Sequence, residues 1–395
     1  MNEIFSEVDK IKGELISNRR YLHKHPEIGF ETKNTEEYIT KFLNSKKIEI
    51  IPSSVGVMGI IRGNNTSEII ALRSDVDALN LEEENDIDYK SQNLGKMHAC
   101  GHDGHTAMLM GAAEILNNNK DKLKYDILLI FQPAEEGPSL GGAKIMLKDL
   151  EMNGLLPKIK CIYGQHITTE YDLGNISIKY GSLTASTDEF TIEIIGKGGH
   201  AGIPQEAIDS ISISSKFISE MESFMSRKID PFDPAIFSIG TIKGGSAKNI
   251  IAEKTTLSGT IRCQSEKIRK YILENVEKVL KGICLYSGAT YKLDILHGLP
   301  VLVNDDNVMD IVRDVAINVV GENNVIDTKK ASMGAEDFAY FAQEIPAAFV
   351  WIGAKNDKKG FINMMHNPKF DFDEDVLTVG VKMFCNLALK NNINI

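Results

Sequence analysis

Apolar positions near the N-terminus follow a helical period, and short apolar runs come after them along the chain. Apolar residues from Ile4 to Leu22 recur at spacings of three, four and seven, which predicts helix, as does the pattern of residues 34–46. The later apolar runs are rich in β-branched residues, and they predict strands at 55–61, 69–72, 126–131 and 161–163. Helical patterns lie between the later runs, at 104–118 and 140–150. Strands that alternate with helices predict an α/β domain with a largely parallel mixed sheet.

The pattern changes at about residue 186, where a second series of elements begins. In chain order it has a strand at 188–195, a helix at about 206–227, strands near 235–242 and 255–262, a helix near 266–286 and a strand near 289–296. This order is the split βαβ arrangement of a ferredoxin-like α+β domain. We therefore expect residues 186–296 to form a domain inserted into a larger one, which residues 1–185 and 297–395 make up.

Composition and charge exclude several classes of protein. The chain has 395 residues, of which 43% are apolar, and no uncharged apolar stretch long enough to span a membrane, so we expect no membrane partner. The acidic N-terminus lacks the apolar segment of a signal peptide. The net charge of −11, without a basic block, argues against nucleic-acid binding. Five scattered cysteines do not form a disulfide framework, so we expect a cytoplasmic protein.

Acidic and imidazole side chains follow three of the predicted strands. Asp75 and Asp77 come after the run at 69–72, the pair Glu135-Glu136 follows the run at 126–131, and His166 follows the run at 161–163. Ligands of open α/β sheets bind outside the carboxyl ends of the strands, so these side chains are expected to meet at one site. Each motif alone also fits a solvated turn, because carboxylates favour helix N-termini.

The densest cluster of candidate metal ligands lies between residues 97 and 105. Three of the nine histidines and one of the five cysteines fall there, namely His98, Cys100, His102 and His105. Thiolate and imidazole bind borderline metals well, so the cluster favours a metal site. The alternative is that His98 and His105 only pack or support, and that Cys100 is a small buried apolar residue.

The other polar candidates are less specific on their own. In an adjacent glutamate pair, one carboxylate can bind a metal while the other acts as general base, although such pairs are also common on surfaces. His366 is a lone histidine in a loop, a pattern that favours a surface or structural role. His200 follows Gly198-Gly199, and its neighbours leave its role open.

Taken in order, the motifs resemble the zinc-type metallopeptidases of the aminoacylase/carboxypeptidase superfamily. The branch is that of the amidohydrolases, which includes hippurate hydrolase, indole-acetyl-amino-acid hydrolase and N-acetyl-diaminopimelate deacetylase. The matching segments are Arg20-Tyr-Leu-His23, Arg73-Ser-Asp75-Val-Asp77, Met97-His-Ala-Cys-Gly-His-Asp-Gly-His105, Phe131-Gln-Pro-Ala-Glu-Glu-Gly137, Gly196-Lys-Gly-Gly-His-Ala201, Met333-Gly-Ala-Glu-Asp-Phe338 and Met365-His366. They cover nearly the whole chain.

The resemblance implies two divalent metal ions per subunit, of Zn, Mn, Co or Ni. Their expected ligands are Cys100, His102, Glu136, His166 and His366. Cys100 is expected to lie between the two ions.

The same resemblance assigns roles to further residues. Glu135 would be the general base, and Asp77 would orient a metal ligand. His200, on the inserted lid and dimerisation domain, would stabilise the oxyanion in the partner subunit's site. Asn249 and Arg262 match residues that hold the substrate carboxylate in related enzymes. A homodimer through the inserted domain is therefore expected.

The chain departs from the family pattern at positions that bear on specificity. Gln205 stands where the family usually has a second histidine, the residues after His166 differ, and Ser139-Leu140 are additional. None of these departures touches an expected metal ligand.

The sequence thus predicts a binuclear, metal-dependent amidohydrolase that cleaves N-acyl amino acids to a carboxylic acid and a free amino acid. One alternative is a peptide hydrolase of the dipeptidase or carboxypeptidase kind. A second is a binuclear phosphoesterase, against which stands the lack of a Gly-rich phosphate cradle and of an arginine cluster. A third is a scaffold that binds metal or peptide without catalysis, against which stands the intact Glu135.

Overall fold

A computed structural model describes residues 1–137, 141–391 and 393, so the additional Ser139-Leu140 lies outside the described residues. The chain divides into two compact units. The first contains Met1–Gly181, Val303–Lys330 and Asp337–Ile395, and the second contains Ser182–Leu302 and Ala331–Glu336. The predicted boundaries at 186 and 296, and the role of the inserted segment as lid and dimerisation domain, stay predictions.

The helices of the described residues are α1 Asn2–Lys10, α2 Lys12–Lys24, α3 Lys33–Ser45, α4 His102–Asn118, α5 Gly141–Met152, α6 Ser210–Lys228, α7 Glu266–Ser287, α8 Asp306–Val320, α9 Ala339–Glu344 and α10 Val376–Ala388. The strands are β1 Glu49–Ile51, β2 Val57–Ile61, β3 Asn65–Asp75, β4 Tyr125–Gln132, β5 Ile159–Asp172, β6 Ile176–Ile178, β7 Gly181–Thr184, β8 Ser186–Ile195, β9 Gly199–His200, β10 Ala235–Gly244, β11 Ile250–Ile251, β12 Lys254–Cys263, β13 Thr290–His297, β14 Leu302–Asn304, β15 Val325–Asp327 and β16 Ala347–Lys355.

The first unit is built on an eight-stranded mixed sheet. Its strand order is β1-β2-β4-β3-β5-β16-β6-β15, and the central strands β4, β3, β5 and β16 run parallel. All eight residues of β4 are buried, because a parallel strand covered on both faces can be apolar throughout. Helices α4 and α10 share one hydrophobic core with the sheet.

The second unit contains a four-stranded antiparallel sheet in the order β10-β12-β8-β13. Buried and partly exposed residues alternate along β8, because one face of the sheet packs against helices and the other does not. The helices are α6 and α7, whose Phe217 and Leu280 lie in the same core as Ile192. This order of strands and helices is the predicted split βαβ arrangement.

The predicted fold class is confirmed, but several elements differ from their predicted bounds. The first helical segment is broken at Ile11 into α1 and α2, strand β5 extends from residue 159 to 172, and α4 begins at His102 rather than at residue 104. In the part of the chain that the structure describes, no helix is both long and apolar enough to cross a membrane.

Candidate metal centre

The candidate ligands gather at the carboxyl end of the central strands. Strand β3 ends at Asp75, which pairs with Gln132 at the end of its neighbour β4. On the other side, Arg73 pairs with Gly164 of β5, so His166 lies level with Asp75. The loops that follow β3 and β4 therefore start beside His166, as expected for parallel strands.

Two groups of candidate ligand atoms share one cysteine. Cys100, His102 and His166 have ligand atoms within 4.8 Å of one another, and so do Cys100, Glu136 and His366. All five residues that the sequence predicts as ligands thus lie in two triads with Cys100 in common. This arrangement suits two ions with one bridging group.

Hydrogen bonds to main-chain carbonyls orient the two buried histidines. His102 Nδ1 lies 2.8 Å from the carbonyl oxygen of Asp77, and His166 Nδ1 lies 2.6 Å from that of Ile167. Each Nδ1 therefore carries the proton that it donates, so Nε2 is the ring nitrogen that can bind a metal. His102 Nε2 is buried without a hydrogen-bonding partner among the described residues, and His166 Nε2 lies 3.4 Å from Cys100 Sγ.

The electrostatics of the pocket favour a cation. Burial raises the pKa of the Cys100 thiol well above its usual range, and the carboxylates of Glu136 and Glu135 raise it further. Burial opposes the protonation of His102, yet Asp75 and Asp77 raise its pKa to about 10. A divalent ion would supply the positive charge that this pocket attracts and would make the thiolate stable. The donor set of thiolate, imidazole and carboxylate fits Zn, Mn, Co or Ni.

The turn after β4 presents the two glutamates through an unusual backbone. Ala134 has a φ of 58°, a left-handed conformation that a residue with a Cβ rarely adopts. The backbone amide of Glu135 donates to Oδ1 of Asp77 and that of Glu136 donates to Oδ2, each at 3.0 Å. Asp77 therefore fixes two parts of the site. Its carboxylate holds this turn, and its backbone carbonyl oxygen orients the His102 ring.

His366, like Ala134, has a left-handed backbone conformation. Its φ is 65°, and its backbone amide donates to the carbonyl oxygen of Ala99, next to Cys100, at 2.8 Å. Its Nε2 lies 2.9 Å from Glu136 Oε1. The sequence around His366 predicted a surface or structural role, but the fold brings His366 into the second triad.

His105 supports the site and does not face it. Its Nδ1 lies 2.6 Å from Asp75 Oδ1, and its Nε2 accepts the backbone amide of Ile167 at 2.8 Å. Both ring nitrogens are thus occupied, and Nε2 fixes the backbone of β5 at Ile167, next to His166. His98 is also buried, and burial lowers its pKa to about 3, so the ring is neutral.

The other predicted site residues belong to the second unit. His200 on β9 pairs with Ile250 of β11, and the backbone amide of Ala201 donates to the carbonyl oxygen of Asn249 at 3.1 Å. His200 and Asn249 are exposed and lie close together. Arg262 lies near the far end of β12, so the structure does not bring it beside them. Their substrate-binding roles stay predictions.

Comparisons with known proteins point to the same chemistry. Residues 71–390 match the profile described as peptidase family M20/M25/M40. The chain is 37% identical to thermostable carboxypeptidase 2 of Saccharolobus solfataricus, over 99% of this chain and 98% of that protein. It is 36% identical to N-acetylcysteine deacetylase of Bacillus subtilis, over 95% and 96% of the two chains. It also resembles the crystal structure of YXEP from Bacillus subtilis, described as a dinuclear metal binding peptidase of the M20 family, with a TM-score of 0.82, 32% identity and coverage of 96% and 98%.

Proposed function

From the premise that this chain belongs to peptidase family M20/M25/M40, we propose that it hydrolyses the amide bond of N-acyl amino acids with the help of two divalent metal ions. The family and the hydrolase class predicted from the motifs are confirmed. The observation that carries the proposal is the pair of ligand triads that share Cys100 beside Glu135.

The two triads define where the ions would be held. Cys100, His102 and His166 would hold one ion, and Cys100, Glu136 and His366 would hold the other. When bound, such ions lower the pKa of a water molecule and polarise the scissile carbonyl group. The fixed Nδ1 hydrogen bonds of the two buried histidines keep their Nε2 atoms in place for this task.

Glu135 would carry the proton during the reaction. Its Oε2 lies 3.9 Å from His102 Nε2, so the carboxylate borders the first triad. In the proposed role it accepts a proton from the attacking water at a carboxylate oxygen and returns it to the nitrogen of the leaving amine. The products are a carboxylic acid and a free amino acid. Asp77 keeps the Glu135 backbone in place through the amide hydrogen bond.

The remaining proposals concern substrate binding, the dimer, the metal and the cellular location. We propose that His200 stabilises the developing oxyanion in the site of a partner subunit, and that Asn249 and Arg262 bind the substrate carboxylate. A homodimer through the second unit would allow this exchange. The proposed metals are Zn, Mn, Co or Ni, which suit this set of ligands. The cytoplasm is proposed as the location, because its reducing conditions keep free cysteines as thiols.

A carboxypeptidase activity is the second candidate, because a relative that is 37% identical over nearly the full length carries that name. Both reactions cleave an amide next to a free carboxylate. The test is a screen of the metal-loaded enzyme on N-acetyl and N-benzoyl amino acids, N-acetyl-diaminopimelate and dipeptides. We expect the highest kcat/KM on an N-acyl amino acid. Faster turnover of peptides would favour the carboxypeptidase, and no turnover of either class would contradict both.

A further inference from the structure

A fully buried arginine lies behind the two ligand triads. Arg19 of α2 is fully buried, and its guanidinium group contacts three carboxylates. Nε lies 2.8 Å from Asp103, one terminal nitrogen lies 2.7 Å from Asp371, and the other lies 3.2 Å from Glu374. The planar fork of an arginine can bind several carboxylates in fixed directions, which a lysine cannot do.

The carboxylates that Arg19 joins come from the two sides of the candidate metal centre. Asp103 directly follows His102, the first residue of α4, whose ring belongs to the first triad. Asp371 and Glu374 belong to the segment that follows His366, a member of the second triad. Arg19 therefore links the backbone that carries one ligand to the backbone that carries another, without contacting either ligand.

The neighbours of Arg19 make the link rigid. The guanidinium carbon lies 4.3 Å from the centroid of the Phe372 ring and 4.9 Å from that of Tyr89. The Tyr89 hydroxyl donates to the second oxygen of Asp371 at 2.7 Å. On the other side, His23 Nδ1 lies 2.8 Å from the same Asp103 oxygen that Arg19 contacts. Asp103 and Asp371 are thus each fixed by Arg19 and by a second side chain, His23 or Tyr89.

A buried ion-pair network is weak evidence of a net contribution to stability. Buried ion pairs pay a large desolvation cost, and apolar replacements of similar size are often as stable. What a buried network with several fixed directions does provide is a defined geometry. We propose that Arg19 is a positioning residue of the metal centre: through Asp103 and Asp371 it fixes the distance between the His102 side and the His366 side. This inference rests on the proposed function, because it requires that the two triads bind metal.

The test compares Arg19→Lys with Arg20→Lys. Arg20 is the next residue of α2, and it also binds Glu374, at 2.9 and 2.6 Å. It is partly exposed, and it forms no hydrogen bond or ion pair with Asp103 or Asp371. The two variants make the same chemical change on the same helix. Metal-free protein is titrated with Co²⁺ against a competing chelator, and the absorption spectrum of the bound Co²⁺ is recorded at each step. Unfolding midpoints are measured alongside.

We expect wild type and Arg20→Lys to bind two Co²⁺ ions with the same affinities and spectra. Arg19→Lys should bind at least one ion about 10- to 100-fold more weakly, with an altered spectrum, since residues that orient metal ligands have effects of that size. If folded Arg19→Lys keeps both affinities and the spectrum, the positioning role is wrong and the proposed function stands. Equal weakening in Arg20→Lys would also overturn it. A wild type that binds no Co²⁺ would overturn the proposed function itself.

A second variant covers the case in which Arg19→Lys does not fold. Asp371→Asn keeps the side-chain volume and the contacts of Arg19 with Asp103 and Glu374, but it removes the charge on the His366 side. We expect one of the two Co²⁺ ions to bind about tenfold more weakly and the other to bind as in wild type. Two unchanged affinities in Asp371→Asn would contradict the inference.

Discussion

Glu135 and Glu136 have adjacent amides that donate to one carboxylate, and both side chains lie near His102, but Glu136 also has neighbours in the second triad. Glu136 groups with Cys100 and His366, while Glu135 borders His102. A residue that binds metal and a residue that moves a proton respond differently to the loss of their charge. Replacement of each glutamate by glutamine, which keeps the shape, therefore separates the two roles.

We predict that Glu135→Gln keeps the fold and both metal ions and lowers kcat by about 10²- to 10⁴-fold, because an amide cannot accept the proton. Glu136→Gln, the matched control, should lose metal as well as turnover. The measurements are kcat and the metal content per subunit after desalting. Near-normal turnover in metal-loaded Glu135→Gln would refute its role as general base.

Cys100 offers a test of metal binding that needs no substrate. Burial and nearby carboxylates raise the pKa of its thiol, so a bound cation is needed to keep the thiolate. We predict slow alkylation of Cys100 in the metal-loaded protein and faster alkylation after chelation, in parallel with the loss of activity. Peptide mapping by mass spectrometry gives the rate at each cysteine. The other four, which are also buried, are the controls: Cys161, Cys263, Cys284 and Cys385. Equal rates at Cys100 with and without chelator would exclude it as a ligand.

At the scale of elements, the first turn of α5 lies close to Pro133, which comes just before the two glutamates. A Cβ on Gly142, the second residue of α5, would lie 1.8 Å from the carbonyl oxygen of Pro133, so the turn would have to shift. We predict that Gly142→Ala destabilises the protein by about 1–3 kcal/mol, as overpacking does, and weakens metal binding. Thermal unfolding and the Co²⁺ titration measure the two effects.

The matched control is Gly13→Ala. Gly13 is also the second residue of its helix, α2, but a Cβ there would meet no atom within 4 Å. Alanine favours helix over glycine by up to about 1 kcal/mol, so this variant should be as stable as wild type or slightly more so. If both variants behaved alike, the close approach to Pro133 would not matter for the turn.

The sequence predicts best those elements in which the repeat of apolar residues within the element marks its buried face. The six elements of the second unit's main sheet and helices follow the predicted order, because one face of each packs on one core. The break at Ile11 was not predicted, since the apolar period continues through it. Strand β5 is longer than its apolar run, because His166, Thr168 and Thr169 are polar residues buried in the sheet.

The site was predictable where its ligands cluster in sequence and not where tertiary contacts bring them together. Cys100 and His102 are separated by a single residue, and the residues alone pointed to metal. His366 depends on a left-handed backbone and on the carbonyl oxygen of Ala99, which no local pattern reveals. Arg19 lies just before the segment that resembles the family motif, and its three carboxylates are 84 to 355 positions away. Only the fold identifies it.

At the scale of the whole molecule, the role proposed for His200 requires a dimer. Strand β10 is an edge of the second unit's sheet, and its Ile236 and Ile242 are among the exposed large apolar side chains. An exposed edge strand invites pairing with another copy. A two-fold dimer through this strand would be isologous, so each chain would offer the partner the same surface. A dimer of this kind should be detected by light scattering at micromolar concentration.

The exchange of His200 between subunits has a decisive test. Glu135→Gln and His200→Ala proteins are each expected to be nearly inactive, since each lacks one group at every site. They are mixed under conditions in which differentially tagged wild-type subunits are shown to exchange. In a heterodimer, one site would carry both defects, and the other would have its own Glu135 together with His200 from the Glu135→Gln partner. Activity should therefore rise toward half that of wild type per heterodimer. If His200 served its own chain, every site would keep one defect, so exchange without recovery would rule out the role in the partner's site.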